Sequence, residues 1–157
     1  MTRLLVAMDD SAESVAVAKA AAAMFATPDT EILLINVVRV PVLSTTGKEF
    51  GDVAVAAQPE RWEAETQRRE LQAAAMTAGI PRAQVLVKIG DPVEVICRAA
   101  EEHNVDVVVI GRHSKGLLAR LVNPPTSERV LHHTERAVLV ITGKKTRRAL
   151  TSEGVLE

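Results

Sequence analysis

Five short apolar runs, the first four each followed in turn by a stretch of helical period, constrain this chain more than any other feature. The runs are residues 3–8, Thr30–Val38, Gln84–Ile89, residues 105–110 and Ala137–Ile141. Each is short, rich in Val, Ile and Leu, and bounded by Gly, Pro, Asp or Asn, which reads as a strand. The near-continuous apolarity of Thr30–Val38 implies burial on both faces, as in a parallel sheet. Between the runs lie helical segments. The first is Ala12–Phe25, rich in alanine, with Ser11 as its expected cap and Glu13 and Ser14 in its first turn. The second covers residues 60–78, with Trp62, Leu71 and Ala75 expected to face inward and Gly79 with Pro81 ending it. Asp91 as N-cap and Pro92 at the first helical position open the third, where Val93, Ile96, Cys97 and Ala100 recur on one face. A last helix starts near residue 124, with Asn123 as its cap, and holds residues 127–133.

Alternation of strand and helix through the whole chain calls for one doubly wound α/β domain, a five-stranded parallel sheet with helices on both faces. Ligands of such sheets bind beyond the carboxyl ends of the strands, where the strand order reverses. Asp9, after the first strand, and Gly111, after the fourth, are therefore the positions to examine. Residues 1–143 form the domain, and residues 144–157 read as a solvated basic and polar tail containing Lys144, Lys145, Arg147 and Arg148. Residues 43–57 show no period, and Thr45, Thr46, Gly47 and Gly51 mark a mobile loop.

Composition narrows the function classes. The formal net charge is −1 and aromatic residues are 2%, so neither a global field nor exposed rings draw the chain to nucleic acid. No apolar run approaches the ~20 residues that span a bilayer. One cysteine, Cys97, fits a reducing compartment and a packed rather than reactive thiol. With no secretory signal ahead of the first strand, the expected location is cytoplasmic and no membrane partner is expected. His103, His113, His132 and His133 lack the spacing of metal ligands, so no metal site is expected. His113 beside Ser114 lies outside any Gly-x-Ser-x-Gly elbow, so hydrolase chemistry is not expected either.

The segment from Val107 through Gly111, Arg112, His113 and Ser114 to Thr126 and Ser127 has the strand–loop–helix order at which phosphates bind. Yet Pro124 and Pro125 stand where the helix would offer its first N–H groups, and neither has one. Missing amide and hydroxyl donors to a charged ligand cost roughly 1.5–3 kcal/mol each. A loss of about 4 kcal/mol would take a micromolar site to millimolar.

These residues resemble the universal stress protein family over residues 2–142. The resemblance lies in Val6, Ala7, Met8, Asp9, Asp10 and Ser11; in Gly90 to Ile96 followed by Val105 to Gly111; and in Ser127 to Leu131 followed by Ala137 to Ile141. It implies strand order 3-2-1-4-5 and a homodimer through the last strand, at Val138, Leu139, Val140 and Ile141. Members that bind ATP carry Gly, two residues, Gly, nine residues, then Gly and Ser or Thr. Here Gly111 matches, while Ser114, Pro124 and Pro125 occupy the other three positions. The chain thus resembles the branch without that motif, which implies a non-catalytic stress protein acting mainly through protein contacts, with no cofactor required. The alternative is an adenine-nucleotide switch. There Asp9 and Val37 hold the adenosine end, while Gly111, Arg112, His113, Ser114, Thr126 and Ser127 lie at the phosphate end. Asp9 as a mere turn residue remains the competing reading.

Overall fold

The computed structural model describes residues 1–9, 11–25, 27–39, 59–111 and 126–141. Nine elements follow one another: β1 (Thr2–Met8), α1 (Ala12–Phe25), β2 (Thr30–Val38), α2 (Pro59–Thr77), β3 (Gln84–Ile89), α3 (Pro92–Glu102), β4 (Val107–Gly111), α4 (Thr126–His133) and β5 (Ala137–Ile141). All strand pairs are parallel and the order is β3-β2-β1-β4-β5. β1 is central, flanked by β2 in the register Val6↔Leu34 and by β4 in the register Val6↔Val109. The fold is the Rossmann-like doubly wound arrangement that the alternation of elements predicts. The proposed tail at 144–157 and loop at 43–57 lie outside the described residues.

Alternation along each strand splits the interior into two cores. Leu4, Val6 and Met8 of β1 and Ile32 and Leu34 of β2 pack with α1 and α2, through Val17, Ala18, Ala21, Leu71 and Ala75. Leu5 of β1, Leu33 and Ile35 of β2 and Val108 and Ile110 of β4 face the other way. They meet Val93, Ile96 and Ala100 of α3 and Val130 of α4. Each fully buried Leu, Ile or Val contributes roughly 1.5–3 kcal/mol relative to exposure. Small alanines on α1 let that helix lie close to the sheet, so a core without aromatic rings in its fully buried set still fills.

Local rules explain the ends. α2 stops at Gly79, whose φ of 76° is left-handed, with Gly79 N donating to the Met76 carbonyl and Ile80 N to the Ala75 carbonyl. α3 ends in the same way with Asn104 at φ 48°, and Val105 N donates to the Ala100 carbonyl at 2.9 Å. That bond corrects the expected start of the fourth strand. Val105 is fully buried but belongs to the helix stop, and pairing begins at Val107.

Trp62 is a second correction: it is 77% exposed, whereas Leu71 and Ala75 are buried. Nine positions separate Trp62 from Leu71, which at ~100° per residue puts them on opposite sides of α2. Cys97 is half-buried against the α3 core, and burial, then the Glu101 charge, pushes its thiol above the ordinary range. That suits a packed thiol with little thiolate near neutral pH.

At the start of α3, Asp91 caps as its sequence position predicts. Its Oδ1 accepts from Val93 N and Glu94 N, both at 3.1 Å, with Pro92 beginning the helix. Asp91→Ala is expected to lower stability by about 1 kcal/mol in urea denaturation, and Asp91→Asn to recover most of that loss. Equal midpoints for Ala and Asn would show that the cap contributes nothing.

Candidate functional site

The order of the strands reverses between β1 and β4, since the chain steps from β1 outward to β2 and β3, then returns to β4 on the other side. The last register pairs at the carboxyl end are Met8↔Asn36 and Ala7↔Ile110. Asp9 stands just beyond β1, Val37 is the next residue of β2, and Gly111 closes β4 opposite Ile141 of β5. Three of the sequence-predicted site residues, Asp9, Val37 and Gly111, are therefore gathered at the reversal. Asp9 is exposed, while Val37 and Gly111 are half-buried.

Asp9 is held by more than a turn. Its Oδ1 accepts from Ser11 N at 2.9 Å, Ser11 Oγ at 2.5 Å and Ser14 Oγ at 2.6 Å. Its own N–H donates to Ser14 Oγ at 2.8 Å. Ser14 is 2% exposed, so one buried hydroxyl at the start of α1 bridges the backbone and the carboxylate of Asp9. Ser11 was expected to cap α1 with its side chain. Instead its hydroxyl donates to Asp9, and its carbonyl accepts from Ser14 N at 3.1 Å. On the other side, the buried Asn36 donates through Nδ2 to the Met8 carbonyl at 3.3 Å, which secures the last residue of β1.

Sequence reading missed both Ser14 and Asn36 as site-forming residues. A signal for Asn36 was present, because it is a lone amide inside an otherwise apolar strand and must find a partner when buried. Ser14 looked like an ordinary first-turn residue. The turn after β1 and the first turn of α1 together bring its hydroxyl to Asp9.

The phosphate half is less fully placed. Thr126 opens α4 and is half-buried, Ser127 follows within that helix, and Val130 anchors the helix to the α3-side core. Arg112, His113, Ser114, Pro124 and Pro125 lie outside the described residues. Arg129, in the same helix, stands 3.7 Å from the Asp91 carboxylate, so the starts of α3 and α4 face each other at this end of the molecule. At the opposite end of α3, Arg136 donates to both carboxylate oxygens of Glu101, and this hydrogen bonding holds the Glu101 carboxyl below its usual range.

Among the described residues, no group of three or more His, Cys, Asp or Glu is placed to hold a metal ion. No described helix is long and apolar enough to cross a membrane.

The arrangement presents a fixed carboxylate where the strand order reverses. Chemically it accepts N–H and O–H groups, as from an amine or a sugar hydroxyl, and repels phosphate. Ser14→Ala is expected to leave the Asp9 N–H without its partner and to cost roughly 1–3 kcal/mol, read as a lowered urea midpoint. An unchanged midpoint would mean that water replaces the hydroxyl at no cost.

The comparisons with known proteins agree with this architecture. The model of the universal stress protein family matches residues 1–142. Among curated proteins, none matches the sequence. A universal stress protein solved in complex with cAMP superposes with a TM-score of 0.63 at 16% identity, covering 91% of this chain and 98% of its own. A universal stress protein family member from Burkholderia pseudomallei gives 0.59 at 24% identity, over 89% and 95%. One from Arabidopsis thaliana, with AMP bound, gives 0.58 at 20% identity, over 90% and 92%. At these identities the superpositions establish the fold, while the family match spans most of the chain. The protein belongs to the universal stress protein family.

Proposed function

We propose that this protein is a non-catalytic, cytoplasmic stress-response module whose crevice takes the nucleoside end of an adenine nucleotide weakly, with little preference for the triphosphate. The observation that carries this reading is the Asp9 cluster: a carboxylate fixed by Ser11 and Ser14 at the sheet reversal. Such a group suits ribose hydroxyls or the adenine amino group, and Val37 beside it offers apolar contact for a base. The cAMP and AMP complexes of similar folds support an adenine ligand. At the phosphate end, Pro124 and Pro125 have no N–H to give, and Ser114 replaces a glycine. A triphosphate therefore gains little over a monophosphate, and the signal passes on through protein contacts.

Calorimetric titration with adenosine, AMP and ATP tests the reading. Wild-type affinities are expected to lie within about tenfold of one another, and Asp9→Ala to weaken all three. Pro124→Gly combined with Pro125→Ser is expected to strengthen ATP binding about tenfold while leaving adenosine unchanged. Micromolar ATP binding by the wild type would overturn the weak-triphosphate reading. Absence of any binding, adenosine included, would leave a pure protein-interaction module.

The assembly proposed with this function is a homodimer through β5. Its support is the strand's position at the sheet edge, with half-buried Val138, Leu139 and Val140 and a buried Ile141. An apolar edge left open invites pairing with another chain. Val140→Lys is expected to give monomers in light scattering, and an unchanged dimer would move the interface elsewhere.

A further inference from the structure

The other edge of the sheet has different chemistry. Among the described residues β3 pairs only with β2, so the other side of its backbone has no partner strand among them. Beside it a groove of about 580 Å³ runs between α2 and β3, lined by Arg68, Gln72 and Met76 of the helix and Gln84, Val85 and Leu86 of the strand. Among the described residues no carboxylate lines the groove.

Among the described residues that line it, the one charged side chain is Arg68. Arg3, Arg69, Arg98, Arg129 and Arg136 each face a carboxylate elsewhere in the molecule. Arg68 in the groove, Arg82 just before β3 and Lys88 near its end are all exposed, and they make no ion pair among the described residues. These cations stand against a formal net charge of −1 for the whole chain. Parallel pairing of β3 with a second copy of itself would set Lys88 beside Lys88, which is destabilising across an edge.

The two faces of β3 differ as well. Val85 and Val87 pack toward α2 and the core of that side, whereas Leu86 turns to the other core. By alternation, Gln84 and Lys88 share the face of Leu86. A strand laid along this edge would therefore meet apolar surface and Arg68 on one side, and Lys88 on the other.

We propose that the β3 edge is a docking site for an extended acidic segment of a partner protein. The segment adds as a sixth strand, with apolar side chains in the groove under α2 and alternate carboxylates toward Lys88. Main-chain hydrogen bonds then supply affinity, and the alternate side chains supply selectivity. This site lies along the side of the sheet, apart from the crevice at the strand ends, and does not depend on nucleotide.

The test uses the full chain and a fluorescein-labelled eight-residue peptide alternating valine and glutamate, with a valine–lysine peptide as control. Anisotropy should show saturable binding of the acidic peptide only, weakened by added salt. Arg68→Glu combined with Lys88→Glu should reduce affinity about tenfold with an unchanged thermal midpoint. Hydrogen exchange should show the outward amides of β3, and not those of β5, becoming protected on binding. Equal binding of the lysine peptide, an unaffected double variant, or protection at β5 would each overturn the proposal. So would β3 amides already protected in the free chain, because the edge would then be filled from within.

Discussion

The structure depends on the two-sided parallel pairing of β1. This strand bonds to β2 on one side and β4 on the other, and its alternate residues feed both cores: Leu4, Val6 and Met8 one, Leu5 the other. A slip of one residue in β1 would exchange the two sets and leave helices on both faces without their contacts. Because the strand is central and its register is set by burial, its carboxyl end is among the best-defined points in the molecule. Asp9 stands immediately beyond it.

That placement explains why a polar cluster can be built there at modest cost. Asp9, Ser11 and Ser14 exchange hydrogen bonds within one tight turn, and Asn36 secures the Met8 carbonyl from the neighbouring strand. Each buried polar group has a partner, and among the described residues no buried side-chain nitrogen or oxygen lacks one. The cluster couples the strand end to the start of α1, so the carboxylate is oriented before any ligand arrives. Preorganisation of this kind lowers the ordering cost of binding.

The sheet's two edges show how the same fold separates different surfaces. β5 presents Val138, Leu139 and Val140, and the nearby Arg136 is tied to Glu101. β3 presents Lys88 on one face and the groove holding Arg68 on the other, with Arg82 just before the strand, and none of the three makes an ion pair among the described residues. One edge is apolar and the other is basic, although both are short terminal strands of one parallel sheet.

By itself, the sequence determined the element order, the parallel sheet, the α3 cap at Asp91 and the α2 stop at Gly79. These follow from local rules: burial period, missing amide hydrogens and the left-handed conformations that glycine accepts. It also placed Asp9 and Gly111 at the strand ends, because a strand end is a local property. Helix phase was legible too, and counting nine positions from Leu71 would have turned Trp62 outward. Tertiary structure alone decided what depends on distance through space. Arg68 was brought beside β3, Arg129 beside Asp91, and Asn36 beside the end of β1. Those contacts join residues far apart in the chain that no local rule connects, and their partners are chosen only when the elements pack together.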